Sequence, residues 1–203
     1  MSPALLMAST WKIPLLAWLR TISRDCQRAA ELYGSVVTQA RDPAFYAGCG
    51  INDTPEGRYE LVILHLCLVL ERLRAEGSAG TELSRRLIET FVTDMDDNMR
   101  EMGVGDLTVP KKVKRAAAGL YDRAGAYRAG LAEPDGGLLA RCLASSLPGL
   151  PDRDGAALSL ASYMRDAVRR LANISMADLA GGQTLFPPAP LANAKCPIEG
   201  GSR

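Results

Sequence analysis

Residues 61–70 read LVILHLCLVL, nine apolar side chains and one histidine with no alternation and no charge. Arg58 and Glu60 close the run on one side, Glu71 and Arg72 on the other. It is far shorter than the roughly 20 apolar residues that cross a bilayer. Immediately before it, Asp53, Thr54, Pro55 and Glu56 bring together a capping side chain, a proline suited to a first turn and an acid of the capping-box kind. That start signal predicts a helix running to about Ala75. A helix apolar around its whole circumference has to be enclosed by protein, so the remaining chain must supply a sheath for it.

The flanking segments carry the spacing of such a sheath. Ser23 reads as the cap of a helix to about Arg41, with Ala29, Tyr33, Val36, Val37 and Ala40 on one face. Pro43 ends it, and a short piece with Phe45 and Tyr46 follows. From about Thr81 to Met102 the residues Leu83, Leu87, Ile88, Phe91, Met95, Met99 and Met102 form a stripe at spacings of three and four. Gly103 stands where a left-handed stop belongs, with Val104 placed to fold back towards Met99. Pro110 opens the next helix, whose inner side is Val113, Ala117, Leu120, Ala124 and Leu131. Helices over Leu138–Ser146 and about Ala156–Ala172 follow, and Ser175 caps a last short turn. No period-2 strand and no internal repeat stand out. The fold class expected is all-α, an irregular multi-helix bundle in a single domain over 23–186. Residues 1–22 read as an N-terminal extension. A frayed tail is expected from Phe186 onward, with 187–203 set apart as a flexible C-terminal segment.

With 203 residues, 47% of them apolar, the chain suits one domain with a true core. The formal charge is +1, so no global field directs it to nucleic acid or an anionic surface, although local patches remain open. The five cysteines are scattered and none forms a C-x-x-C pair, which fits reduced, mostly buried thiols in a cytoplasmic protein. Residues 1–19 carry no charge before Lys12 and lack the basic start of a secretory signal. Two readings of this extension stand side by side: loose chain, or Trp11, Ile13, Leu15, Leu16 and Trp18 docking on a membrane surface or a partner.

Little in the chain suggests bond chemistry. The one histidine, His65, sits in the most apolar helix, where it reads as a core or partner-facing side chain. A catalytic dyad would need a nucleophile and an orienting acid beside it. One histidine and no cysteine pair argue against a transition-metal site, and neither metal nor cofactor is expected. Asp94, Asp97 and Glu101 share a helix face, to be solvated or to dock, while Asp96 pairs with Arg100 four residues on. Gly103–Val104–Gly105 follows a helix, not a strand, and lacks the lysine spacing of a phosphate loop. Lys111, Lys112, Lys114 and Arg115 oppose the dipole of the helix they begin. They call for compensation by the acidic end of the preceding helix or by an external acidic partner. Aromatic residues are not interleaved with these bases, so nucleic acid is not the expected partner.

Three ordered motifs resemble the ubiquinol–cytochrome c chaperone family. The first is Tyr33–Gly34 followed by RDPAFY at 41–46; the second is DTPEGRYEL at 53–61 with Leu64–His65–Leu66. The third, FVTDMDDNMREMGVGDLTVPKK at 91–112, is the strongest. The resemblance runs from about Arg24 to Pro188. It implies an assembly chaperone of ubiquinol–cytochrome c reductase, respiratory complex III, which holds newly made cytochrome b until further subunits join. It also implies no enzymatic activity and no obligatory cofactor. The expected location is cytoplasmic, at most peripheral to the inner membrane, with a small helical co-chaperone or the ribosome as working partners. The residues are compatible with this. Met95, Met99 and Met102 offer adaptable side chains for a client, unless they are ordinary core. Asp94, Asp97, Glu101, Lys111 and Lys112 would form a charged rim around them. One rival is a helical enzyme or carrier for a small quinone- or lipid-like substrate, which needs His65, Asp94 and Tyr121 to converge on an enclosed pocket. A second is a general adaptor or nucleic-acid binder acting through residues 111–115.

Overall fold

The computed structural model describes residues 12–150, 155–179 and 185–190, with side chains from Arg24 onward. Seven helices follow in order: α1 Lys12–Ala40, α2 Pro43–Cys49, α3 Pro55–Arg74, α4 Gly77–Glu101, α5 Val109–Ala132, α6 Gly137–Ser146 and α7 Ala156–Ala172. Among the described residues there is no strand. The all-helical class and single bundle expected from the sequence are what is found.

Helix α3 is the axis. Leu61 through Val69 are all buried, and α1, α4, α5 and α7 pack around them. The start signal works in part: Thr54 is the cap, its Oγ1 accepting the Gly57 N–H at 3.2 Å, and Asp53 pairs with Arg58 at 2.7 Å, but Gly57 and not Glu56 holds the third helical position, so the expected capping box does not form among the described residues. Gly57 is obligatory there, since a Cβ would lie 2.1 Å from the Asn52 carbonyl oxygen. Asp42 caps α2 by accepting the Ala44 N–H at 2.9 Å, which accounts for the short piece after Pro43. Arg72, at the far end of α3, donates to the Leu171 and Ile174 carbonyls, both at 2.9 Å, and so satisfies the open end of α7.

Three boundaries differ from the sequence reading. Helix α1 starts at Lys12 and runs through Ser23, with Pro14 in its first turn, where a missing N–H costs nothing. Helix α4 starts at Gly77, four residues before the expected Thr81. The tight α3–α4 connection admits Gly80 because a Cβ there would meet the Leu73 carbonyl oxygen at 1.9 Å, and this packing overrides glycine's low helix propensity. The frayed tail expected from Phe186 is corrected for residues 186–190: Phe186 and Ala189 are buried, and Gln39 Nε2 donates to the Pro187 carbonyl at 3.3 Å. Composition misled there, because a proline-rich strap can lie against a groove without any periodic pattern. The rest of the expected tail, residues 191–203, and Trp11 in the extension lie outside the described residues, as do the side chains of Ile13, Leu15, Leu16 and Trp18.

Candidate functional site

The residues singled out from the sequence fall in three places. The first is the core around His65. Its Nδ1–H donates to the Leu61 carbonyl at 2.7 Å, which leaves Nε2 to accept the Tyr163 hydroxyl, also at 2.7 Å. Phe45 and Phe186 meet the imidazole edge-on, at centroid distances of 5.3 and 4.9 Å. Burial holds its pKa down to about 4, against smaller opposing effects of the Leu61 hydrogen bond and the Asp42 charge. The ring is thus neutral and fully occupied.

The second is the groove between α1 and α4, about 390 Å³, lined by Cys26, Tyr33, Arg86, Thr90, Asp94 and Asp97 among others. Asp94 accepts the Tyr33 hydroxyl at 2.7 Å, and Tyr33 also packs edge-on against Phe91. Burial first, and then this carboxylate, push the Tyr33 pKa up. His65, Asp94 and Tyr121 do not converge: His65 is enclosed in the core, Asp94 is engaged by Tyr33, and Tyr121 is 62% exposed. The convergence required of an enzyme pocket built from these three is absent. Of the cysteines, Cys49 and Cys67 are buried, with burial raising their thiols to about 11 and about 12. Cys26, by contrast, is exposed.

The third place is the far end of the α4–α5 hairpin. The α4 stripe is core as far as Phe91; Met95 packs on the core's edge, Met99 is half-buried, and Met102 is 64% exposed. Gly103, at φ 76°, then reverses the chain. Val104 N–H donates to the Met99 carbonyl at 3.0 Å and Gly103 N–H to Arg100 at 2.9 Å, the double bond of a glycine-stopped helix. Arg100 reaches both Asp96 at 2.6 Å and Asp106 at 2.5 Å, tying the turn to the helix. Val109 is wholly buried and anchors the return, while Leu107 is 93% exposed. Asp97, Glu101, Lys111 and Lys112 are exposed around this end. So of the eight residues proposed for partner contact, Asp94 lines the α1–α4 groove and holds Tyr33, Met95 packs on the core's edge, Met99 is half-buried, and the other five are exposed. Leu107 escaped the sequence reading, although an apolar side chain isolated in a polar turn was a signal for it. Tyr33 as the partner of Asp94 left no local signal at all.

A family described as ubiquinol–cytochrome C chaperone matches this chain over residues 47–186, from the end of α2 through α7 to Phe186 in the strap. The chain belongs to the ubiquinol–cytochrome c chaperone family. Relatives include a ubiquinol–cytochrome c reductase complex assembly factor 1 from Mus musculus, 25% identical over 65% of this chain. The match takes in 41% of the mouse protein, so the chain spans about two fifths of that relative's length. A protein of the same description from Xenopus laevis is 24% identical over 74% of this chain and 76% of its own length. Among solved structures, the crystal structure of the Cbp3 homolog from Brucella abortus superposes with a TM-score of 0.74 and 33% identity. That superposition covers 86% of this chain and 97% of the Brucella chain. The family match thus includes both the α4–α5 hairpin and the helix that carries His65, while all of α1 precedes it. No described helix is long and apolar enough to cross a membrane.

Proposed function

We propose that this chain, as a chaperone of its family, promotes assembly of ubiquinol–cytochrome c reductase by holding newly made cytochrome b, and that it catalyses no reaction. The observation that carries the reading is the family match across 47–186, supported by the shared fold with the Cbp3 homolog over nearly its whole length. The mouse and frog relatives are named for assembly of that complex, which supplies the destination of the client.

The surface chemistry agrees. A multispanning client before assembly presents apolar helices, and the end of the α4–α5 hairpin presents Met99 and Met102 with exposed carboxylates on α4 and exposed lysines on α5. Unbranched thioether side chains repack at little cost against differing apolar shapes, and the charged rim limits indiscriminate sticking. Deleting the gene should deplete the assembled complex on native gels while other respiratory complexes persist. Photoreactive residues at Met99 or Lys112 should crosslink to cytochrome b in the parent strain. Normal levels of the complex in the deletion strain would defeat the reading.

A further inference from the structure

The same hairpin end carries a second pattern that client binding does not use up. Between Pro55 and Ala132 every arginine other than Arg115 holds a carboxylate: Arg72 with Glu76, Arg100 with Asp96 and Asp106, and Arg123 with Glu60 among them. Among the described residues Lys111, Lys112, Lys114 and Arg115 have no ion pair or side-chain hydrogen bond, and all four are exposed. They occupy the first two turns of α5, where the helix dipole disfavours cations, and no acid stands in the first turn to offset them. Thr108 gives no side-chain cap, so the fold does nothing locally to accommodate this charge. Beside them, Leu107 is 93% and Met102 64% exposed, the two most exposed large apolar side chains described.

We infer that the α4–α5 tip docks on an anionic lipid surface, with Leu107 and Met102 entering the headgroup layer and Lys111, Lys112, Lys114 and Arg115 meeting the phosphates. Residues 111–115 at the start of α5 carry four basic side chains and no acid, while the exposed acids of this end, Asp97 and Glu101, stand on α4 and Asp106 is taken up by Arg100. That local excess stands in a chain whose overall charge is only +1, so it is concentrated where the apolar side chains protrude. A bilayer surface satisfies both features together: cations gain from anionic headgroups, and protruding leucine and methionine gain from the acyl boundary. Nucleic acid would answer the cations but leave Leu107 and Met102 in water. Buried Val109 and the Arg100–Asp106 clamp hold the tip rigid, so the side chains are presented without an ordering cost at binding. The inference deepens the reading above by naming what else the client-binding end touches. It is tested on purified protein with no client present, so the two fail separately.

The test is co-sedimentation of the full chain with vesicles of phosphatidylcholine alone or mixed with phosphatidylglycerol, over a series of salt concentrations. Binding is expected to the mixed vesicles only, and to weaken as salt rises. Replacing Lys111, Lys112, Lys114 and Arg115 together by Gln should reduce it at least tenfold. Leu107→Ser should reduce it severalfold at unchanged salt dependence. All these side chains are exposed, and unchanged far-UV circular dichroism would show that the variants fold. Absence of binding, equal binding to both vesicle types, or binding that survives both variants would overturn the inference. So would a single-stranded RNA that displaces the vesicles and binds the Leu107→Ser variant as tightly as the parent.

Discussion

Burying an imidazole with both nitrogens engaged fixes its protonation state, and at His65 this has a measurable consequence. The folded pKa of about 4 lies below the roughly 6.5 of a free histidine. Between those values the unfolded chain binds a proton that the folded chain refuses, so stability rises with pH across the window. The contribution is complete above pH 6.5 and is lost as the pH falls towards 4. From pH 7 to pH 5 it amounts to about 2 kcal/mol. Urea denaturation at the two pH values should therefore show a larger loss for the parent than for His65→Gln, by about that amount. Equal losses would mean that the imidazole titrates freely in the folded state. The same residue argues against a catalytic role: a base with both nitrogens engaged and no solvent access has no route to a substrate proton.

The helices of the bundle share one core, and the least regular element depends on a few buried side chains. The strap 185–190 has no ladder or helix of its own. Gln39 on the Pro187 carbonyl and Cys49 Sγ on the Pro190 carbonyl, at 3.9 Å, are its side-chain bonds to the body. Phe186, 2% exposed and edge-on to His65, is its largest buried side chain, with Leu185 and Ala189 buried beside it. Phe186→Ala should cost on the order of 3 kcal/mol in denaturant unfolding, in the range of buried aromatic truncations. A merely frayed tail would lose almost nothing. At the other end of the scale of order, α5 and α6 cross so closely at Gly130 that a Cβ would lie 2.7 Å from Leu139 Cα. That contact holds the far end of α5 against α6, and Val109 fixes the near end from which the charged tip extends.

One continuous core joins all seven helices and the strap, from Ala29 in α1 through the whole of α3 to Leu171 in α7 and Ala189 beyond it. A core without internal divisions predicts a single cooperative transition. Far-UV circular dichroism should report the helices and near-UV circular dichroism the buried Tyr33, Tyr127 and Tyr163, with midpoints coinciding in urea. Separate midpoints would show that the α4–α5 hairpin or the strap melts as its own unit. For a chaperone this matters, because a body that unfolds as one leaves its adaptable surface at the hairpin end, where side chains extend outward from a rigid support.

The helical class, the order of the helices, the central place of α3, its start at 53–56 and the stop at Gly103 were all legible in the chain. Each rests on interactions within one helix or one turn, which impose a period or a residue type at a known offset. The motifs at 53–61 and 91–112, both inside the matched stretch 47–186, made the family legible too, while the motif at 41–46 lies just before it. Which methionines of one even stripe are core and which are surface was not legible, since Met95 and Met102 look alike until the neighbouring helices show where they end. Nor was Tyr33 on Asp94, 61 residues away, or Phe186 on His65. Those contacts are set by where separate helices meet, and such meetings depend on the summed packing of the whole bundle, which leaves no periodic trace along the chain.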